Sequence, residues 1–137
     1  MNASDGQVKA EPFHILSREM VWKGFCTLER ITFERRRRDG GILVQTFEIE
    51  NHGWAAAVLA YDPTRREAVL VRQMRLAPAL QGDDPMCLEI VAGLLDDRAE
   101  PPEETARREA MEEAGLRLDR LEPIGAFRPS PGLIGDR

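Results

Sequence analysis

Cysteine is nearly absent from this chain: Cys26 and Cys87 are the only two, and neither shares a metal-like spacing with His14 or His52. That argues against a disulfide framework and against a cysteine–histidine zinc site, and it points to a reducing, cytoplasmic setting. Long hydrophobic runs are also missing. The longest, Trp54 to Tyr61, is far too short to span a membrane, and Met-Asn-Ala-Ser-Asp-Gly lacks the charged and apolar regions of a signal peptide. Nor is there a basic excess. A net charge of −5 and a pI near 5.1 speak against non-specific nucleic-acid binding. Internal repeats and low-complexity tracts are lacking as well. What remains, 137 residues with 42% apolar and 31% charged side chains, is the composition of one ordinary globular domain. The basic residues are almost all arginine, suited to bidentate contacts with phosphate.

The chain divides by pattern into three parts. Residues 1–18 are polar and aperiodic and are expected to form an arm or edge segment. Residues 19–53 are expected to form an N-terminal strand hairpin: Met20 to Arg37 carries Val21, Phe25, Leu28, Ile31 and Phe33, Asp39-Gly40-Gly41 is a turn signal, and Ile42 to Glu50 returns. Its apolar groups Trp22, Phe25, Phe33 and Phe47 exceed what so small a core covers, so a homodimer through these strands is expected. The arginine run 35–38 beside the turn is read as a solvated hairpin tip, with phosphate contact as the sharper alternative. Residues 54–137 form the main domain. Strands are expected at Trp54 to Tyr61, Glu67 to Met74, Cys87 to Ala92 and Leu121 to Phe127, with a loop over Pro78 to Pro85.

Within that domain, the stretch from Gly93 to Leu116 organises the rest. Pro101 and Pro102 open a helix, because a proline in the first turn gives up an N–H that has no partner there. Glu103 and Glu104 complement the positive end of the helix dipole, and Gly115 ends the helix as a left-handed cap. Ala106, Ala110 and Ala114 make a small face that packs closely. Glu109, Glu112 and Glu113 fall within roughly a 100° arc of that helix. Like charges one turn apart repel by roughly 0.2–0.5 kcal/mol, and a divalent cation with oxygen ligands is the natural compensation.

Arg108-Glu109-x-x-Glu112-Glu113-x-Gly115-Leu116, preceded by Glu100 and Gly93, resembles the signature of the Nudix hydrolases. Two departures are visible: six residues rather than five separate Gly93 from Glu100, and Ala110 fills the large apolar slot after Glu109. Further pieces resemble the branch containing ADP-ribose pyrophosphatases and GDP-mannose hydrolases. They are Trp22-Lys23-Gly24-Phe25 with Leu28-Glu29-Arg30, Tyr61-Asp62-Pro63, Val71-Arg72-Gln73-Met74-Arg75, Glu89-Ile90-Val91-Ala92-Gly93 and Ser130-Pro131-Gly132.

The resemblance implies an α+β fold: a Nudix-type α/β/α sandwich with a mixed sheet, plus the N-terminal antiparallel strand pair. It implies magnesium, with manganese as a substitute, held by Glu109, Glu112, Glu113 and the backbone carbonyl of Ala92, with Arg108 beside them. Arg75 is expected against a diphosphate and Glu89 is expected to orient it; the alternative is a plain surface ion pair. Phe47 stands where the branch places a base-holding arginine, and either stacks on a base or belongs to the core. Asp136 matches a carboxylate after Ser-Pro-Gly. The implied reaction is hydrolysis of a nucleoside diphosphate sugar, ADP-ribose to AMP and ribose 5-phosphate, with no nucleic acid or membrane partner. The alternatives are a GDP-mannose or other nucleotide-sugar pyrophosphatase, and a non-catalytic nucleotide-binding module. Family members continue past Ser-Pro-Gly with further strands, a helix and a glutamate thought to act as general base. The natural chain is therefore expected to extend beyond Arg137.

Overall fold

The computed structural model describes residues 13–97 and 99–135. They form two compact units. One comprises residues 13–52 with 128–135, the other residues 53–127.

The first unit is an antiparallel sheet of β1 (Phe13–Lys23), β2 (Thr27–Arg36) and β3 (Ile42–Asn51), in that order. Two strands were expected, and three are found. The span from Met20 to Arg37 breaks at residues 24–26, where the Gly24 N–H donates to the Cys26 carbonyl at 2.9 Å. β1 begins at Phe13, inside the segment read as an arm. Every residue of β1 is exposed, so no buried face stamps an alternation on its sequence. Its pairing holds regardless, from Phe13 opposite Arg35 to Lys23 opposite Thr27, with bulges after Ile15 and Met20. Asp39-Gly40-Gly41 does close the β2–β3 hairpin, with Gly40 at φ 86° and the Arg37 N–H donating to the Gly41 carbonyl at 2.7 Å. On the outer side of β3, Glu50 makes a parallel bridge with Ile134.

The second unit holds three antiparallel strand pairs: β4 (Ala55–Val58) with β9 (Val91–Leu94), β5 (Ala60–Asp62) with β6 (Glu67–Val69), and β7 (Val71–Met74) with β8 (Met86–Glu89). Each long apolar run expected as one strand is thus divided into two short ones. The Leu121 to Phe127 segment forms no strand pair, and Ile124 is 95% exposed. A β-prone sequence makes a ladder only where a neighbour offers hydrogen bonds, and none of the described residues does so here. Conversely, the loop expected over Pro78 to Pro85 is partly helical: the short helix α1 (Leu76–Gln81) runs into it, with Pro78 in its first turn and Gly82 left-handed at its end.

The motif helix α2 (Pro102–Ala114) follows the sequence expectation closely. Glu103 and Glu104 lie in its first turn, and Gly115 caps it at φ 64°, its N–H donating to the Met111 carbonyl. α2 packs on β9 and β4. The core sits between them: Ala56, Val91, Ala106 and Ala110 are buried together with Thr105. Small residues let helix and strands approach closely, which brings the helix's acidic side against β9.

Candidate active site

Two carboxylates of α2 meet consecutive residues of β9. Glu109 lies against Gly93: a Cβ built on Gly93 would fall 2.0 Å from the Glu109 Oε1 atom. Only glycine admits this approach. Glu113 lies against Ala92, whose N–H donates to Glu113 Oε2 over a long 3.4 Å. Ala92 faces Ala57 across the β4–β9 ladder, yet its N–H turns outward to Glu113. In an extended strand the N–H and C=O of one residue leave the same edge, so the Ala92 carbonyl shares that edge with the carboxylate.

Each carboxylate is held from a second side. Arg108 Nη1 donates to Glu109 Oε1 at 2.6 Å, and Arg108 Nη2 donates to the Leu94 carbonyl at 3.1 Å. One guanidinium thereby ties the helix carboxylate to the end of β9. Asp96 and Glu112 each stand 3.8 Å from the same guanidinium. On the other carboxylate, Gln73 Nε2 donates to Glu113 Oε1 at 2.7 Å. The burial differs accordingly: the Glu109 side chain is 13% exposed, whereas Glu112 is 60% exposed.

Beside these, Arg75 and Glu89 form a forked pair. Arg75 Nε donates to Glu89 Oε1 at 2.9 Å, and Nη2 donates to Oε2 at 2.6 Å. That hydrogen bond holds the Glu89 carboxyl below the ordinary carboxylate range and raises the Arg75 guanidinium further, with Glu113 adding to the field on Arg75. The fork fixes the plane of the guanidinium. Among the described residues no second acceptor takes its remaining N–H groups, which a further anion could engage.

Residues 51–135 match the NUDIX domain. The chain belongs to the NUDIX family. It is 40% identical over 124 residues to an ADP-ribose pyrophosphatase of Escherichia coli, covering 90% of this chain and 59% of that protein. It is 35% identical over 119 residues to a GDP-mannose pyrophosphatase of Cronobacter sakazakii, covering 86% and 61%. The crystal structure of an ADP compounds hydrolase superposes with a TM-score of 0.67 at 20% identity, covering 90% of this chain and 62% of that one. That likeness carries the fold. The chain therefore spans about three fifths of the length of these relatives.

Among the described residues of this NUDIX chain, no three His, Cys, Asp or Glu side chains converge as a ready cation cage. Glu109, Glu113 and the Ala92 peptide still fit a hard cation of the magnesium type. Such an ion keeps several waters and needs only one or two protein carboxylates, the remainder coming from substrate phosphates. The absence of a side chain at Gly93 leaves the space that the Glu109 carboxylate fills.

Three other residues singled out in the sequence complete the description. Phe47 lies on β3 in the first unit, stacked on Phe33 with ring centroids 5.7 Å apart. Asp136 lies outside the described residues. Glu100 accepts the Asp96 N–H at 2.7 Å and thus shapes the loop before α2. Sequence reasoning assigned no role to Gln73. The available signal was its place in β7, where Val71 and Gln73 share the less exposed side and a second apolar residue would be ordinary.

Proposed function

We propose that the chain carries the site of a divalent-cation-dependent hydrolase that cleaves the pyrophosphate bond of ADP-ribose to AMP and ribose 5-phosphate. The observation that carries the reading is the meeting of Glu109 and Glu113 with Gly93 and Ala92, consecutive residues of β9. Identity of 40% to an ADP-ribose pyrophosphatase supports the substrate class. Magnesium, or manganese in its place, would polarise the phosphoryl oxygens and lower the pKa of a bound water. Glu109, Glu113 and the Ala92 carbonyl are the proposed ligands, with Glu112 as the outer carboxylate. Arg108 keeps Glu109 in its cradle, and Glu89 presents Arg75 to the diphosphate.

GDP-mannose is the second reading, favoured by the 35% identity to a GDP-mannose pyrophosphatase. A further proposal is a homodimer through the N-terminal sheet, supported by exposed Trp22 and Phe25. A reducing cytoplasmic setting suits the free thiols of Cys26 and Cys87. Among the described residues, no helix is long and apolar enough to cross a membrane.

A coupled assay tests the reading. The protein is incubated with magnesium and ADP-ribose, GDP-mannose or other nucleotide sugars, and phosphatase then releases phosphate only from cleaved products. Magnesium-dependent release, greatest with ADP-ribose, is expected. Release greatest with GDP-mannose would select the second reading, and absence of release with every nucleotide sugar would refute both.

A further inference from the structure

β7 carries a polar side chain on the side where its neighbour Val71 turns inward. Gln73 is half-buried there, and its amide reaches 40 residues along the chain to Glu113, with Nε2 at 2.7 Å from Oε1. Nothing about strand pairing requires it: the ladder sets Gln73 opposite Cys87 through the backbone alone. At a half-buried strand position an apolar residue would hold the strand equally well. Glu113 is the carboxylate whose other oxygen faces the Ala92 N–H. The two donors grip the carboxylate from both ends. They fix its rotation without neutralising it, and a carboxylate oxygen that accepts one hydrogen bond keeps a lone pair free.

We infer that Gln73 is a positioning residue for Glu113, orienting that carboxylate toward a divalent cation. The inference rests on the proposed hydrolase reading. Partners of this kind hold ligating carboxylates in other metal sites, and their loss typically costs 10–100-fold in metal affinity or activity. The bland alternative is a tie between strand and helix that serves packing alone.

Manganese titration separates the two, followed by the electron paramagnetic resonance signal of the free ion. Gln73→Met keeps the length and bulk of the side chain and removes the donor. Gln73→His, above the pKa of the ring, keeps an N–H at about the reach of the amide while changing the shape. A positioning role predicts that Gln73→Met raises the manganese Kd about tenfold or more, whereas Gln73→His stays near the wild type. It also predicts that Gln73→Met adds nothing in a Glu113→Gln background, since it acts through that group. A packing role predicts the reverse order, Met tolerated and His not, and that result would overturn the inference. So would an unchanged Kd in Gln73→Met. A wild-type chain that takes up no manganese would remove the hydrolase reading and this inference together. Manganese uptake with an unchanged Gln73→Met removes the inference alone.

Discussion

The carboxylate of Glu109 occupies the space that a side chain at position 93 would take. A Cβ on Gly93 would lie 2.0 Å from Oε1 and 2.1 Å from Cδ of Glu109. The three nearest atoms it would strike all belong to the Glu109 side chain beyond Cβ, and Gly93 is not among the glycines with positive φ. Gly93→Ala should therefore cost the fold little, because Glu109 swings aside. It should cost the site much, because the swing breaks the 2.6 Å bond from Arg108 and carries the carboxylate away from β9. The expected outcome is a stability change within about 1 kcal/mol by denaturant titration, together with hydrolysis reduced by orders of magnitude. A fully active Gly93→Ala variant would remove Glu109 from the site.

Glu113→Gln tests the second carboxylate. The side chain lies at the surface of α2, so the substitution should leave stability within about 0.5 kcal/mol of the wild type. The amide keeps the shape but loses the charge that a hard cation selects. Turnover should fall by orders of magnitude, and added manganese should restore little. Near-wild-type turnover would show that Glu113 holds no essential ion.

The Arg75–Glu89 pair makes a prediction about pH. Its hydrogen bond lowers the Glu89 pKa in the folded state. A depressed carboxylate contributes its stability above the unfolded value, about 4.3, and loses it as pH falls through the lower folded value. The pair should therefore be intact at neutral pH and open only in acid, and a carbon-detected NMR titration of Glu89 should show a midpoint below the ordinary range. Both partners are partly exposed, 47% and 30%, so the pair is worth no more than about 1 kcal/mol to the fold. Glu89→Gln should shift Tm little while raising KM for a nucleotide sugar, because Arg75 loses the fork that sets its plane. A KM that stays unchanged would reduce the pair to surface decoration.

How much of this was legible beforehand depends on where each signal resides. α2 was readable almost residue by residue, since Pro102, Glu103, Glu104 and Gly115 are local signals whose physics does not depend on the rest of the chain. The Arg75–Glu89 pair and the importance of Gly93 came through the family motif. β1 was not readable over Phe13 to Arg18, because a strand exposed on every residue has no periodicity to read. α1 overlaps the segment expected as loop over Pro78 to Pro85, although Pro78 in its first turn and Gly82 at its end are local helix signals. The bond from Gln73 to Glu113 spans 40 residues, and no local pattern encodes a contact of that range. The turn outward of the Ala92 N–H was equally hidden, because ladder register decides which edge a peptide faces.

In the N-terminal sheet the edge of β3 is partly covered: the Glu50 N–H donates to the Leu133 carbonyl at 3.0 Å, and the Gly135 N–H donates to the Glu50 carbonyl at 2.8 Å. The outer edge of β1, eleven residues long, has no strand partner among the described residues. Its apolar residues Ile15, Met20 and Val21 are exposed, Trp22 is 61% exposed, and Phe25 in the following turn is 86% exposed. Long apolar edges pair with other chains unless something blunts them. The bulges after Ile15 and Met20 bend β1, and Arg18 and Glu19 break its apolar run, which favours a defined partner over open-ended stacking. A second copy of the chain supplies the same surface at equal concentration, and closed twofold pairing is the commonest outcome of such self-complementarity. Light scattering at micromolar concentration should give roughly twice 15.5 kDa. Trp22→Glu with Phe25→Asp should return the mass to a single chain while leaving α2 and β9 folded, because neither residue lies in the second unit. A wild-type protein that scatters as a monomer would show that this edge faces water.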